Sequence, residues 1–374
     1  MTRGVNTARA MNDAGADAAG GRYRAHDLAR FAAQVLERAG LRADMAATVA
    51  DVLVEGDLLG HTTHGLALLA PYAAQLAAGD MARSGEPELL ADKGASVLWD
   101  GGRLPGPWLV SQALDTLAPR ARQFGTATMV IRRSHHIACL ASYLLKAVEQ
   151  DMLVVLASSD PAGRSVAPFG GTRAVFTPNP IAAGIPAASP LLIDISASVT
   201  TNGQCARLAQ AGARFDHEWL IDAEGRPTRD PAVLFASPAG SILPVGGLEA
   251  GHKGYGLALL VEALTGGLAG YGRADDAQGW GATVFISLYD TVGFSGKDAF
   301  RRQMDWLAEQ CRDNPPSDAG RPVRLPGDRA LALRDEQTRR GVALHQSIVP
   351  VLRDLAQAHR IEFPQSKQDW SQQA

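Results

Sequence analysis

The chain predicts a mixed helix-and-strand fold, α+β or α/β. Three observations carry that expectation. Apolar residues recur at helical spacing near both ends. Short apolar runs of strand length fill the middle. No internal repeat or Pro/Ser-rich linker divides the chain. In order, Leu28, Phe31 and Val35 mark a helix over 25–37, and Asp44 is placed as the cap of a second helix ending near Leu58. The polar break at 60–65 (GHTTHG) precedes an apolar helix over 66–78. Strands are expected at 96–99 and 127–131 with a helix over 109–122 between them, then a helix over 140–150 and a strand at 153–157. Residues 158–177 are rich in Gly, Pro and Ser. They are long for a structureless connection, which marks a functional loop. Strands at 180–186 and 191–195, a small-residue helix over 254–269 and a strand at 284–288 follow. Amphipathic helices over 297–312 and 335–359 close the chain, separated by the turn-rich stretch 314–328.

The 374 residues hold enough chain for two or three domains' worth of structure. With 46% hydrophobic and 6% aromatic residues, Ala, Leu and Val must fill the core. A net charge of −3 gives no basic excess for nucleic acid or an anionic membrane. No apolar run reaches membrane-spanning length; 257–268 comes nearest and Glu262 interrupts it. Residues 1–22 lack the apolar core of a signal peptide and read as an unstructured tail. Three scattered cysteines, Cys139, Cys205 and Cys311, argue against a disulfide framework and for a reducing, cytoplasmic setting.

Nine histidines are few enough to weigh singly, and two pairs stand out: His61 with His64, and His135 with His136. Imidazole titrates near neutral pH, which suits proton transfer. As metal ligands these four lack an HExxH pattern and a nearby acidic ligand, so no metal is expected. A hydrolytic Thr63–His64 pair is disfavoured because adjacent side chains usually point apart and GxSxG is absent. No strand–GxGxxG–helix unit exists, so no Rossmann site is expected. Only five of the 36 basic residues are Lys, and one of them, Lys253, lies among glycines (251–256, GHKGYG) at a helix start. There N–H groups and the helix dipole favour an anion; close packing with a solvated Lys is the plainer alternative. Asp194 sits inside an apolar strand and needs a partner, either a His or the backbone of a strand-end cap.

Seven segments, taken together and in order, resemble the malate/L-lactate dehydrogenase family of non-Rossmann, NAD(P)-dependent 2-oxo acid reductases, in its hydroxycarboxylate dehydrogenase branch. They are GHTTHG at 60–65, RSHHI at 133–137, APFGG at 167–171, PNPIA at 178–182, LIDIS at 192–196, HKGYG at 252–256 and LPGD at 325–328. The likeness spans about residues 23–361. It implies an α/β fold with a non-Rossmann cofactor domain around a mixed or antiparallel sheet, with helical N- and C-terminal parts. The implied division is 1–22 tail, 23–125 substrate part, 126–296 cofactor domain and 297–374 helical part packing back on the N-terminal part. The implied activity is hydride exchange between NAD or NADP and C2 of a small 2-oxo or 2-hydroxy acid, by a homodimer.

The same resemblance makes His64 the acid/base, with Thr63 and Asp194 as its relay. His136, His61 and Asn179 would meet substrate. His136, Asp194, Ile195, Ser196, Ser198, Lys253, Gly254, Gly327, Asp328 and Arg329 would meet the cofactor. The chain departs from the family where many members carry Arg and Lys: those positions are Leu68 and Gln204. The Thr of the family's Gly-Thr-Asn-Pro is also displaced, to Thr177. His61, Arg164 and Arg207 remain as basic groups for the acid's carboxylate. Two alternative functions fit the same segments: reduction of a cyclic imino acid or sugar-derived keto acid, and a non-catalytic ligand-binding relative.

Overall fold

A computed structural model of the chain describes residues 21–367. The tail expected over 1–22 lies outside these except for its end, where Arg22 belongs to a strand. In chain order come β1 (Arg22–Tyr23), α1 (Ala25–Arg38), α2 (Ala43–Leu58), a 3-10 turn (Leu66–Leu68) and α3 (Leu69–Ala78). Then follow β2 (Glu88–Asp92), β3 (Ser96–Asp100), α4 (Gly106–Phe124), β4 (Thr126–Ser134), α5 (Leu144–Val148), β5 (Met152–Ser159), β6 (Pro180–Ile185) and β7 (Leu191–Ser196). Next are α6 (Asn202–Gln210), β8 (Leu220–Ile221), β9 (Pro227–Thr228), β10 (Ser241–Ile242), α7 (His252–Glu262) and β11 (Ala282–Asp290). α8 (Lys297–Arg312), α9 (Asp328–Arg340), β12 (Val342–Ala343) and α10 (Ile348–His359) complete the chain.

These elements form two compact units, one from residues up to 79 together with 330 onward, the other from 80–329. The first unit joins the two ends of the chain. β1 pairs antiparallel with β12, Tyr23 opposite Val342. Helix α1 buries Leu28, Phe31 and Val35 at the expected spacing, and Leu352 and Ala356 of α10 are buried in the same unit. Asp44 falls inside the first turn of α2 rather than capping it. Its carboxylate takes the Arg42 guanidinium at 2.6 Å, which holds it below the usual carboxylate range. The helix expected over 335–359 is two helices. Gly341, at φ 90, turns the chain out of α9 through β12 and into α10.

The second unit is built on a seven-stranded sheet in the order β2-β3-β4-β11-β5-β6-β7. Only β3 and β4 run parallel, which is the mixed, mostly antiparallel sheet expected. Because β2 and β3 pair into this sheet, residues 80–125 belong with it and not with the N-terminal helices, and α8 belongs here too. Helix α4 packs on β4 and β11. The segment expected as one helix over 254–269 is α7 followed by a π turn, Ala263–Gly267. Val261 and Ala269 there pack with Val130, Ala157 and Phe285 of the sheet. A satellite core of Val166, Phe176, Cys205, Leu208, Leu220 and Ile242 supports the small sheet β10-β8-β9.

Candidate active site

In the first unit, the polar break after α2 is a tight turn. Gly60 takes φ +87 and His61 N–H bonds to Gly56 O at 2.8 Å. His64 N–H closes on His61 O at 2.8 Å. The turn rests on Asp57, 2% exposed, whose Oδ2 accepts the Leu66 N–H at 2.7 Å. Gly65 must be glycine here, because a Cβ would lie 2.4 Å from the Asp57 carboxylate carbon. Gln337 of α9 donates to Asp57 O and Leu58 O at 2.8 and 3.0 Å, which ties the C-terminal helix to the turn. In this geometry Thr63 Oγ1 lies 2.8 Å from His64 Nδ1. The adjacent side chains therefore meet rather than point apart, because they sit in a turn and not in a strand. Asp57 carried no functional expectation; its signal was an acid amid apolar helical residues.

In the second unit, Asp194 lies on the edge strand β7, paired opposite Ala182. Its Oδ2 accepts the Ala141 N–H at 2.9 Å and faces Cys139 Sγ at 3.7 Å. Burial first, then the Asp194 charge, pushes the Cys139 thiol far above its ordinary range. The two neighbouring histidines differ. His135 is fully buried, and burial, aided by the Arg103 charge, lowers it to about 3, so it is neutral at working pH. His136 is half-buried and stacks on Trp280 at 4.4 Å between ring centroids and 28° between planes. Its Nδ1 accepts the Ala138 N–H at 3.3 Å. Arg103 fixes the Trp280 loop by donating to Gln278 O and Trp280 O at 3.2 and 3.4 Å.

Asn179 is fully buried with φ 46. Its amide nitrogen donates to Glu262 Oε1 at 2.8 Å and Ala258 O at 3.3 Å, while its oxygen accepts from Thr177 at 2.8 Å. Asn179 thus holds the end of the loop 158–177 through Thr177. Glu262, which interrupts the apolar run of α7, also accepts from Arg273 and Ser159 at 2.8 Å each. A charge within an apolar helix was the signal for this network.

Several expected cofactor residues gather along β7. Gly327, at φ +99, packs on the strand, where a Cβ would lie 2.8 Å from Leu192 N, and Leu192 N–H bonds to Pro326 O at 3.0 Å. Asp328 accepts from Leu325 N at 2.9 Å and from Arg312 at 2.8 Å. Ile195 is exposed and Ser198 buried; Ser196 Oγ donates to Ser198 O at 2.8 Å. At the strand's far end, Val245 N–H bonds to Ala197 O at 2.8 Å and Gly254 N–H to Val245 O at 3.1 Å. A Cβ on Gly254 would lie 2.3 Å from Val245 N, so close packing at this helix start is real. Lys253 beside it is exposed in the first turn of α7, and Arg329 is exposed beside Asp328. The exposed Lys253 places a cation beside the N–H groups of this first helical turn, a combination that suits an anion.

The second unit carries a mixed sheet without a Rossmann motif, and the first carries a histidine paired with a threonine hydroxyl, a pair able to exchange a proton with a substrate. Over residues 23–353 the chain matches the malate/L-lactate dehydrogenase family and belongs to it. It is 30% identical to an L-lactate dehydrogenase of Cupriavidus necator over 90% of this chain and 97% of that protein. It is 28% identical to hydroxycarboxylate dehydrogenase B of Escherichia coli K12, over 87% and 91% of the two chains. A solved structure described as a putative malate/lactate dehydrogenase from E. coli superposes with a TM-score of 0.83 at 27% identity, covering 95% and 99% of the two chains. The missing GxGxxG is therefore no obstacle to a nicotinamide cofactor, which the family implies. No helix among the described residues is long and apolar enough to cross a membrane.

Proposed function

We propose that this hydroxy acid dehydrogenase uses His64 as the acid/base at the C2 oxygen of a small 2-hydroxy or 2-oxo acid. The Thr63–His64 hydrogen bond of 2.8 Å carries the reading. With Nδ1 engaged by the hydroxyl, the proton exchanged with substrate resides on Nε2. Asp194 and Thr63 complete the relay, holding the tautomer and stabilising the imidazolium formed when the hydroxyl proton is taken. A bound nicotinamide, NAD or NADP, supplies the hydride acceptor for C2. Lys253, Gly254, Ser196, Ser198, Ile195, Gly327, Asp328 and Arg329 hold the dinucleotide, and His136, braced by Trp280, faces substrate together with His61. Asn179 acts through the loop it holds. Replacing His64 by Ala lowers turnover roughly 10²–10⁴-fold while cofactor affinity stays near its original value. Absorbance at 340 nm and a cofactor titration read the two, and undiminished turnover would remove His64 from the mechanism.

The working form is proposed to be a homodimer in the cytoplasm. Leu259 and Leu260 of α7 are 47% and 51% exposed and Leu268 after the π turn is 57% exposed, a patch that suits a second copy of the chain. Light scattering at micromolar concentration tests this, and a monomeric mass refutes it. All three cysteines are free, with Cys139 and Cys205 buried, as a reducing compartment allows.

A further inference from the structure

A cavity of about 430 Å³ opens within the second unit between residues 160–164 and 273–280. Trp280 forms one wall, and the same ring is stacked on His136. The 160–164 segment is held firmly. Arg273 donates to Gly163 O at 2.5 Å, and Asp160 Oδ1 accepts the Ala162 N–H at 3.0 Å. A Cβ on Gly163 would lie 2.5 Å from Thr177 Cγ2, so this backbone is packed against the loop behind it.

Two guanidiniums line the cavity, and they differ in what they are committed to. Arg273 is engaged by Glu262 at 2.8 Å and Ser159 at 3.0 Å. Arg164 is exposed and has no hydrogen-bond or ion-pair partner among the described residues. The nearest acid in sequence, Asp160, does not cancel it. Its carboxyl is turned to backbone N–H groups, and burial pushes it above the usual carboxylate range. An uncommitted guanidinium carried on a fixed backbone is free to take a carboxylate or similar oxyanion bidentately.

We propose that Arg164 determines substrate specificity by binding a second anionic group at the end of the hydroxy acid's side chain. The inference rests on the dehydrogenase reading above. With C2 of the acid beside His136, the side chain enters the cavity past Trp280 and its terminal oxyanion meets Arg164. The volume is far more than a three-carbon acid fills, so a monoanion such as lactate leaves Arg164 unused. Arg164 also borders a second cavity of about 350 Å³ with Arg173, which supplies a control of like charge.

The test compares L-malate with L-lactate and 2-hydroxybutyrate for the unaltered protein, Arg164→Gln, Arg164→Lys and Arg173→Gln. Arg164→Gln raises KM for L-malate about 10–100-fold, the loss expected of a charge-assisted pair, and leaves both monoanions within about twofold. Arg164→Lys recovers part of the loss, and Arg173→Gln changes neither class. Equal losses on malate and lactate would make Arg164 a clamp for the common carboxylate and overturn the proposal, as would an unchanged malate KM or a protein that turns over lactate and not malate. Calorimetric titration with L-malate needs no turnover and keeps the two failures apart. Malate binding that Arg164→Gln weakens upholds the anion subsite even where no acid is oxidised, whereas oxidation of lactate with no Arg164 effect sinks only the subsite.

Discussion

His135 gives the most direct link between one buried group and the acid stability of the fold. In the folded chain burial lowers its pKa to about 3, against an ordinary value of 6.5. The unfolded chain therefore binds a proton below pH 6.5 that the folded chain refuses until about pH 3. Stability from the neutral ring is fully present above 6.5 and falls as pH drops. The slope is about 1.4 kcal/mol per pH unit, or about 3 kcal/mol between pH 7 and pH 4. His135→Gln removes this proton while keeping a polar side chain beside Trp280, whose ring lies edge-on at 5.3 Å. Urea unfolding at half-unit steps from pH 7 to pH 4, followed by tryptophan fluorescence, reads both proteins. The variant starts less stable at pH 7 because packing is lost. Its stability then falls less steeply with acid, by close to one proton's slope. Parallel curves for the two proteins would refute the reasoning, because carboxylates common to both cannot produce the difference.

Asp194→Asn lowers turnover through the wrong imidazole tautomer, while the Ala141 N–H still finds an oxygen acceptor at the same position; an unchanged kcat would reduce Asp194 to a strand-edge cap. Gly254→Ala places a methyl 2.3 Å from Val245 N, which backbone cannot yield cheaply. Roughly 1–3 kcal/mol of stability is lost and α7 shifts. Cofactor affinity then falls with it, which thermal melts with and without dinucleotide will show; a neutral melt and unchanged affinity would contradict the close approach.

The long amphipathic elements were legible in the sequence because one side of each is buried. Leu28, Phe31 and Val35 announce α1, and the strand cores at 127–131 and 153–157 lie in the middle of the sheet. Elements stabilised by neighbours rather than by their own pattern were not legible. β2 is an edge strand with mostly exposed residues, and β8, β9 and β10 have two residues each, too few to show alternation. Helices α9 and α10 merge into one amphipathic stretch by eye, and the break is one glycine whose positive φ no periodicity records. In the site, motif residues were visible singly. Their supports were not, since Trp280 lies in a loop without periodicity and reaches His136 only through folding. Glu262 and Asp57 were each readable as acids in apolar surroundings, but the partners, Arg273 and the Leu66 N–H, depend on loop geometry.

The pairing of β1 with β12 sets an order of events during synthesis. The sheet unit, 80–329, is one continuous stretch that can complete its core before the last residues are made. Helices α1, α2 and α3 leave the ribosome before the sheet unit yet wait through some 250 residues for α9, β12 and α10 to complete their own unit. The turn bearing His64 is braced by Gln337, so the proposed acid/base is made some 270 residues before its brace. A nascent or C-terminally clipped chain would thus carry a finished sheet unit and an unbraced turn at His64.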